Sequence, residues 1–451
     1  MPDKKTKLKF KQFVQAPPDE VFMAFSNATA LCEWFCNVAQ ADAHEGGRLY
    51  VWWNSGYFAS GEFTRLKPFK KIAFTWHGRG EPAVTQVKVT LSPDKGGTTV
   101  VLEHSGMNEE KIWKPAIAAF QRGWQVGLEN LKSVLETGLD LRFVRLPLIG
   151  LAGVEPVSPE QAKEWGLPEG KSGLRILNLS PGLGAEAAGL QKDDILTKIA
   201  GQKLASMADL IRVIRSHKAG EKISIQYYRA GEKQRTKMIL SSRSLPEIPP
   251  TAEALAKVTH QINAAGLFNL RQRLEAGSEQ EAAYKANPGD WSAHEALAHL
   301  IATERDTHAW IAGLIEGQEA DFIYHIHQPA RVQATLAAIP DTKGLLQELE
   351  CLLAETEAMV ASLPPEFVQR KRSYWRLGYN LLQTPAHFQE HGEQISASLA
   401  SAQAASENRE GKSEILKDKA SQSMERTAPA AKRRRSKTRL NPESAGILSE
   451  E

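Results

Sequence analysis

Two histidines four residues apart, His387 and His391, stand in the stretch Thr-Pro-Ala-His-Phe-Gln-Glu-His-Gly-Glu-Gln-Ile at Thr384–Ile395. On a helix that spacing puts both imidazoles on one face, where two neutral rings can ligate one divalent metal. Taken alone, such a pair equally fits a packing or surface role. Pro385 suits the first turn of a helix, because the N–H it lacks has no intrahelical acceptor there. A third ring lies upstream, in Asp290-Trp-Ser-Ala-His-Glu-Ala-Leu-Ala-His-Leu-Ile. Asp290 or Ser292 can cap that helix, and His299 falls on its apolar stripe with Ala296, Leu300 and Thr303. A histidine facing a bundle core needs polar partners, and three of them from two helices can meet around a metal. His387-Phe-Gln-Glu390-His391 also fits the inverted zinc-protease pattern, with Glu as general base. That reading needs a third ligand and a cleft from further chain, whereas a polar tail follows. His294, His308, His325 and His327 weaken a unique assignment: His325 and His327 alternate in a loop and could contribute a ligand, while the plain reading of all four is as surface residues.

The elements that would carry these rings are four helical patterns, over Ala252–Ala276, Asp290–Glu316, Asp341–Leu363 and Thr384–Ala402. Pro-rich Pro246–Pro250 reads as a stiff linker before them, and the long Gly317–Pro340 connection suits a bundle with a crossover. The chain ahead of the linker is strand-rich. Lys9–Gln15, Arg48–Trp53, Ala59–Lys67, Lys71–His77, Ala83–Ser92 and Thr98–His104 read as strands, with two short helices near Pro17 and Ala30. A long amphipathic helix over Asn108–Gly138 closes that segment. Its neighbour, about residues 141–245, alternates short strands with a helix at Ser206–Ser216 and a hairpin turning at Ala230-Gly231.

The totals bound the reading. With 451 residues the chain is long enough for about three domains. From Ala402 onward there are eleven Lys+Arg and eight Asp+Glu, which leaves 45 of each sign ahead of it. The preceding chain therefore carries no global field for nucleic acid. The N-terminus has no apolar leader pattern, no run approaches a membrane span, and three cysteines exclude a disulfide framework. Cytoplasmic residence is the expectation. Cys32 and Cys36 read as buried small hydrophobes.

Three resemblances follow. Glu33-Trp-Phe, Gly46-Gly-Arg-Leu, Gly61-Glu-Phe, Pro68-Phe-Lys-Lys-Ile-Ala-Phe-Thr-Trp, Thr98-Thr-Val-Val-Leu-Glu-His and Gly123-Trp124 resemble the SRPBCC superfamily, in its Hsp-ATPase-activator-like branch. This implies a helix-grip α+β domain over 1–140, with a cavity between sheet and long helix for an apolar small molecule or a partner. His77 and His104 are its polar residues to examine, with solvent-facing strand ends as the plain alternative. Gly173-Leu-Arg-Ile-Leu-Asn-Leu, Ser180-Pro-Gly-Leu-Gly-Ala-Glu-Ala-Ala-Gly-Leu and the hairpin are similar to a mostly-β PDZ domain of the HtrA type over 141–245, departing at Asp193, where the family has Gly. The resemblance implies a groove that takes a partner's C-terminal peptide by strand addition. Leu151, Ala152, Gly153 and Val154 would form its carboxylate loop. Leu210 and Ile214 would line the groove, or else face the core. Trp291-Ser292, Glu295, His299-Leu300 and the His387/His391 pair resemble an all-α, DinB-like four-helix bundle over 246–402. That family implies a divalent transition metal, nickel or zinc, on His299, His387 and His391, with Glu295 and Glu390 as candidate supporting groups. It also implies a possible low-molecular-weight thiol. Residues 403–451 read as a disordered basic tail, whose Lys432-Arg-Arg-Arg-Ser-Lys offers at most a weak nucleic-acid contact.

The expected protein is a cytoplasmic multidomain adaptor with a ligand cavity, a peptide groove and a metal site. A metal-dependent thiol transferase or isomerase, and a chaperone-ATPase regulator, are the alternatives.

Overall fold

The computed structural model describes residues 5–168, 170–275, 277–287, 289–318 and 329–426. The first module is one antiparallel sheet of seven strands in the order β1-β7-β6-β5-β4-β3-β2. The strands are β1 (Lys5–Val14), β2 (Val38–Ala41), β3 (Arg48–Trp52), β4 (Phe58–Lys67), β5 (Lys71–Gly78), β6 (Thr85–Asp94) and β7 (Gly97–Asn108), with α1 (Pro18–Ser26) and α2 (Ala28–Trp34) between β1 and β2. The sequence pattern misses β2, whose four residues carry little alternation and pair only with β3.

The long helix α3 (Lys114–Thr137) buries Phe120, Trp124, Leu128, Leu131 and Val134 against this sheet. The spacing is that of a helix with one apolar face. His77 is exposed, but His104 on β7 is fully buried. Trp124 Nε1 donates to its Nδ1 (3.0 Å). Its Nε2 lies 2.8 Å from Thr85 Oγ1, and that hydroxyl donates onward to the Trp76 carbonyl (3.0 Å). Every polar atom in the chain is satisfied by a neutral ring protonated at Nε2.

The second module is a sheet in the order β13-β12-β10-β9-β8, with a short β11 pairing β10. Its strands are β8 (Leu151–Pro156), β9 (Leu174–Leu179), β10 (Ile195–Ile199), β11 (Gln202–Lys203), β12 (Lys222–Arg229) and β13 (Glu232–Ile239). Helices α5 (Pro159–Glu164), α6 (Gly184–Ala187) and α7 (Met207–Arg215) complete it, while α4 (Leu141–Val144), the link from the first module, stays on that module through Arg142, which donates to the Cys32 and Cys36 carbonyls. Asp193 adopts φ 69°, the conformation for which the family uses glycine, and Arg175 Nη1 bonds its carboxylate at 3.3 Å. An Asp tolerates this left-handed backbone better than most residues, so the turn survives the substitution. Ala230 and Gly231, both at positive φ, make the tight β12–β13 turn.

The third module is helical: α8 (Ala252–Leu274), α9 (Glu279–Ala282), α10 (Ala293–Glu316), α11 (Pro329–Ala338), α12 (Thr342–Ala361), α13 (Pro365–Gln369) and α14 (Lys371–Arg426). Two expectations are corrected here. The last helix begins at Lys371 rather than Thr384, so Pro385 lies inside it. An interior proline costs about 3 kcal/mol. Against it stands the burial of Tyr374, Leu377 and Leu381 in a core with Leu255, Ile311, Leu314, Val360 and Phe367, where each large apolar side chain contributes about 1.5–3 kcal/mol. The helix also runs on through Arg426, so the first part of the stretch read as disordered has helical backbone. Its Ala, Glu, Lys and Gln content favours that state. Residues 427–451, with the Lys432–Lys437 run, and the His325/His327 pair lie outside the described residues. Among the described residues no helix is long and apolar enough to cross a membrane.

The early turns of α14 also hold the first module. Ser373 Oγ donates to Glu33 (2.8 Å), which Arg376 approaches at 3.4 Å. Arg372 Nη1 donates to the Gly138 carbonyl (3.1 Å), and Arg372 lies 3.6 Å from Asp140. Gly138 ends α3 at φ 77°, and a Cβ there would sit 2.6 Å from the Lys371 carbonyl oxygen, so both backbone angle and clearance require glycine. Burial pushes the Glu33 carboxyl up despite Arg376 and Ser373, and lowers Arg372 to about 10.

Burial also holds His104 down, to about 4 from 6.5. Because the unfolded chain protonates first, the neutral ring's contribution is complete above the unfolded value and is lost as pH falls through the folded one. Nitrogen-15 NMR of the imidazoles, assigned with a His104→Gln variant, should show His104 neutral at pH 5.5. A midpoint near 6.5 would contradict this packing.

Candidate functional site

The three histidines meet in the upper core of the bundle. On α10, Ser292 caps the helix with a reciprocal Glu295 contact: the Ser292 side chain accepts from Glu295 N (3.1 Å), and Glu295 Oε2 accepts from Ser292 N (3.0 Å). The capping box fixes where the helix starts and hence where His299 points, two turns on. His299 is 1% exposed. Opposite it, α14 brings His391, buried, and His387, half-buried. One ring nitrogen from each of the three can be chosen so that all lie within 4.8 Å of one another. His391 Nε2 and His387 Nε2 are 3.0 Å apart. That is a few tenths shorter than the ~3.4 Å between two nitrogens bound ~2.1 Å from one tetrahedral ion. The ring centroids of His299 lie 4.7 Å from His391 and 5.6 Å from His387.

Two neighbours orient the rings. Gln394 Oε1 accepts from His391 Nδ1 (2.9 Å), which commits that proton to the outer side and turns the Nε2 lone pair toward the cluster. Fixing the tautomer of a ligating histidine through its other nitrogen is the usual work of such a neighbour. The Trp291 ring stacks on His391 (6.2 Å, 12°) and meets His299 edge-on (5.0 Å). Sequence reasoning did not single out Gln394. Its place one turn after His391, at i+3, was the available signal.

The two carboxylates read as supporting groups lie elsewhere in this arrangement. Glu295 is occupied by the capping box, Lys285 Nζ and Gln333 Nε2, each of the last two at 3.0 Å. Glu390 is exposed. His294 bonds Thr342 (2.8 Å), and His308 bonds Thr356 (2.8 Å). His387 lines a cavity of about 460 Å³ shared with Thr303, Glu304, Thr307, Thr356 and Gln383. Thr356 donates to Glu304, and burial pushes that carboxyl up. The donor set is three imidazole nitrogens, which suits zinc, nickel or copper better than magnesium or calcium.

In the second module, Leu151–Val154 form the edge strand β8 itself, paired with β9 (Leu151 with Leu179, Val154 with Ile176). They are not a loop, because alternate backbone groups are already committed to that ladder. Just ahead of the strand, Leu148 is bridged to Ser241 and Gly150 adopts φ 87°. Leu210 on α7 is buried in the module's core, and Ile214 packs against its rim. Met207 and Ile211, each 43% exposed, are the apolar residues α7 leaves open.

Comparison with known proteins matches this order of modules. The family profile "Activator of Hsp90 ATPase homolog 1-like protein" matches residues 15–136, that of the PDZ domain 150–240, and that of the DinB superfamily 267–395. The chain therefore carries these three modules in series. It is 31% identical over 115 residues to a probable periplasmic serine protease do/HhoA-like of Haemophilus influenzae, covering 26% of this chain and 24% of that protein. To the chloroplastic Protease Do-like 1 of Arabidopsis thaliana it is 23% identical over 188 residues, covering 39% and 41%. The chain thus spans about a quarter to two-fifths of the length of these curated relatives. An HSP90 activator from Plasmodium falciparum aligns in structure with 25% identity and a TM-score of 0.26, over 29% of this chain and 95% of that one.

Gln394→Leu should keep the fold but free the His391 tautomer. Metal affinity measured by competition with a chelator should fall about tenfold to a hundredfold. Unchanged affinity would mean that Gln394 does not position the ring.

Proposed function

We propose that this protein is a non-proteolytic, cytoplasmic adaptor that carries a transition metal. In this reading the bundle holds nickel or zinc on His299, His387 and His391, the PDZ module captures a partner's free C-terminus, and the first module takes an apolar ligand. The single observation that carries it is the convergence of three imidazoles from two helices inside the bundle, within 4.8 Å. Three imidazole nitrogens so placed form a donor set that suits a divalent transition metal. For the PDZ part, the support is that β8 is the outer strand of its sheet and runs beside α7. The metal would act as a Lewis acid on whatever oxygen or sulfur ligand reaches it.

A second reading is favoured by one observation: His387 faces a cavity of about 460 Å³ with hydroxyl, amide and carboxyl groups on its walls. A substrate could reach the metal from that side, as a catalytic site requires. The chemistry would be transfer or isomerisation assisted by a low-molecular-weight thiol. Glu304, raised by burial, would be available to hold a proton beside the substrate.

Elemental mass spectrometry on the full-length protein, supplied with nickel and zinc, should find about one transition-metal ion per chain. His387→Gln, at the half-buried position, should lower this markedly without unfolding the bundle. A protein that takes up no metal, or a variant that keeps it, would remove the metal from both readings. Free C-terminal peptides should be enriched over their amidated forms on the full-length chain, and absence of that difference would remove the peptide groove.

A further inference from the structure

A second cavity, of about 530 Å³, lies in the first module between α3, the end of α2 and the β3–β4 hairpin. One wall is unusually flat. Ala119, Gly123 and Gly127 follow at four-residue spacing along α3, and a Cβ built on Gly123 would meet nothing within 4 Å. The facing wall is aromatic. Phe35 stacks on Trp124 (5.0 Å, 10°), Trp53 meets Phe35 edge-on (5.1 Å), Tyr57 lies 5.3 Å from Trp53, and Trp76 lies 5.8 Å from Trp124.

The polar edges of these rings are already used. Trp53 Nε1 donates to the Phe35 carbonyl (2.6 Å), Trp76 Nε1 to Glu81 (3.2 Å) and Trp124 Nε1 to His104 (3.0 Å), while the Tyr57 hydroxyl donates to Glu81. Away from Ser55, Asn130 and the two arginines on the lining, a ligand body therefore meets ring carbon and no free donor. That selects a flat apolar body, and the volume is that of a small-molecule site.

The lip is charged. Arg142, one guanidinium on the lining, is paired with Asp140 at 2.8 Å. Arg122, the other, is exposed and makes no hydrogen bond or ion pair with a described residue. An aromatic box by itself would also accept an organic cation. The unpaired Arg122 opposes that and favours an anion, which a guanidinium can hold by two parallel bonds.

We infer that this slot binds a planar aromatic carboxylate, its ring system between the Gly123 face of α3 and the aromatic wall and its carboxylate on Arg122. The inference deepens the apolar-ligand part of the reading above. It involves neither the histidines nor the PDZ edge, so failure of the metal or peptide measurements leaves its test intact.

The test uses full-length protein and three naphthalene probes: 2-naphthoate, neutral 2-naphthol and a naphthylmethyl-trimethylammonium salt. Binding is read by calorimetry and by quenching of tryptophan emission. Naphthoate should saturate one site and bind more tightly than naphthol, with the ammonium weakest. Arg122→Gln should weaken naphthoate about tenfold, the effect of losing one charge-assisted contact, and leave naphthol unchanged. Gly123→Leu, which fills the slot and favours the helix, should abolish binding of both while helix content stays the same. No naphthoate binding up to its solubility, equal binding by Gly123→Leu, or preference for the ammonium probe would each overturn the inference.

Discussion

Helix α14 is the member on which the other parts lean. Its first turns grip the first module through Arg372, Ser373 and Arg376 on one side and pack Tyr374, Leu377 and Leu381 into the bundle on another, and a later section delivers His387 and His391. For these to act together the helix must remain continuous across Pro385. The missing N–H and the ring's clash with the preceding turn work against that. Apolar burial on both sides outweighs the local penalty, so tertiary packing overrides a residue that ordinarily marks a helix start.

The same helix makes the relation between first module and bundle a matter of buried charge. Glu33, Asp140, Arg142, Arg372 and Arg376 lie close together, and Asp140 and Arg372 are both buried or nearly so. Taking such charges out of water costs several kcal/mol per ion, and pairing returns little beyond that. The network's use is therefore in register rather than in net stability. A charge left without its partner would cost about 3–5 kcal/mol, which disfavours alternative ways of seating the sheet module on the helix. The stacked Trp375 and Tyr379, against which Phe143 packs edge-on, supply the apolar part of the same contact.

Within the modules, the two cavities are built on opposite plans. The bundle cavity has hydroxyl, amide and carboxyl walls and one imidazole at its base. The first module's slot has satisfied indoles and bare glycine backbone. Each follows from how the buried polar atoms are paired. Where Trp53, Trp76 and Trp124 turn their N–H groups inward, the remaining surface is apolar. Where Thr356 and Glu304 face each other across the bundle, polar groups remain on the wall.

Local pattern carried a good deal of this. The strands from Arg48 to His104, the amphipathic run of α3, a helix cap at Asp290 or Ser292 and the i, i+4 histidines are all written in short-range pattern, because a strand or helix repeats its contacts every two or every three to four residues. The order of three modules was legible for the same reason: each carries its own turns and apolar period. What required the folded chain were relations between residues far apart. These include the start of α14 ahead of Pro385, the burial of His104 among Trp76, Thr85 and Trp124, the use of Leu151–Val154 as a sheet edge rather than a loop, and the seat of Ser373 on Glu33. None has a local signature, because in each the deciding free energy is desolvation, and desolvation depends on what the rest of the chain brings alongside.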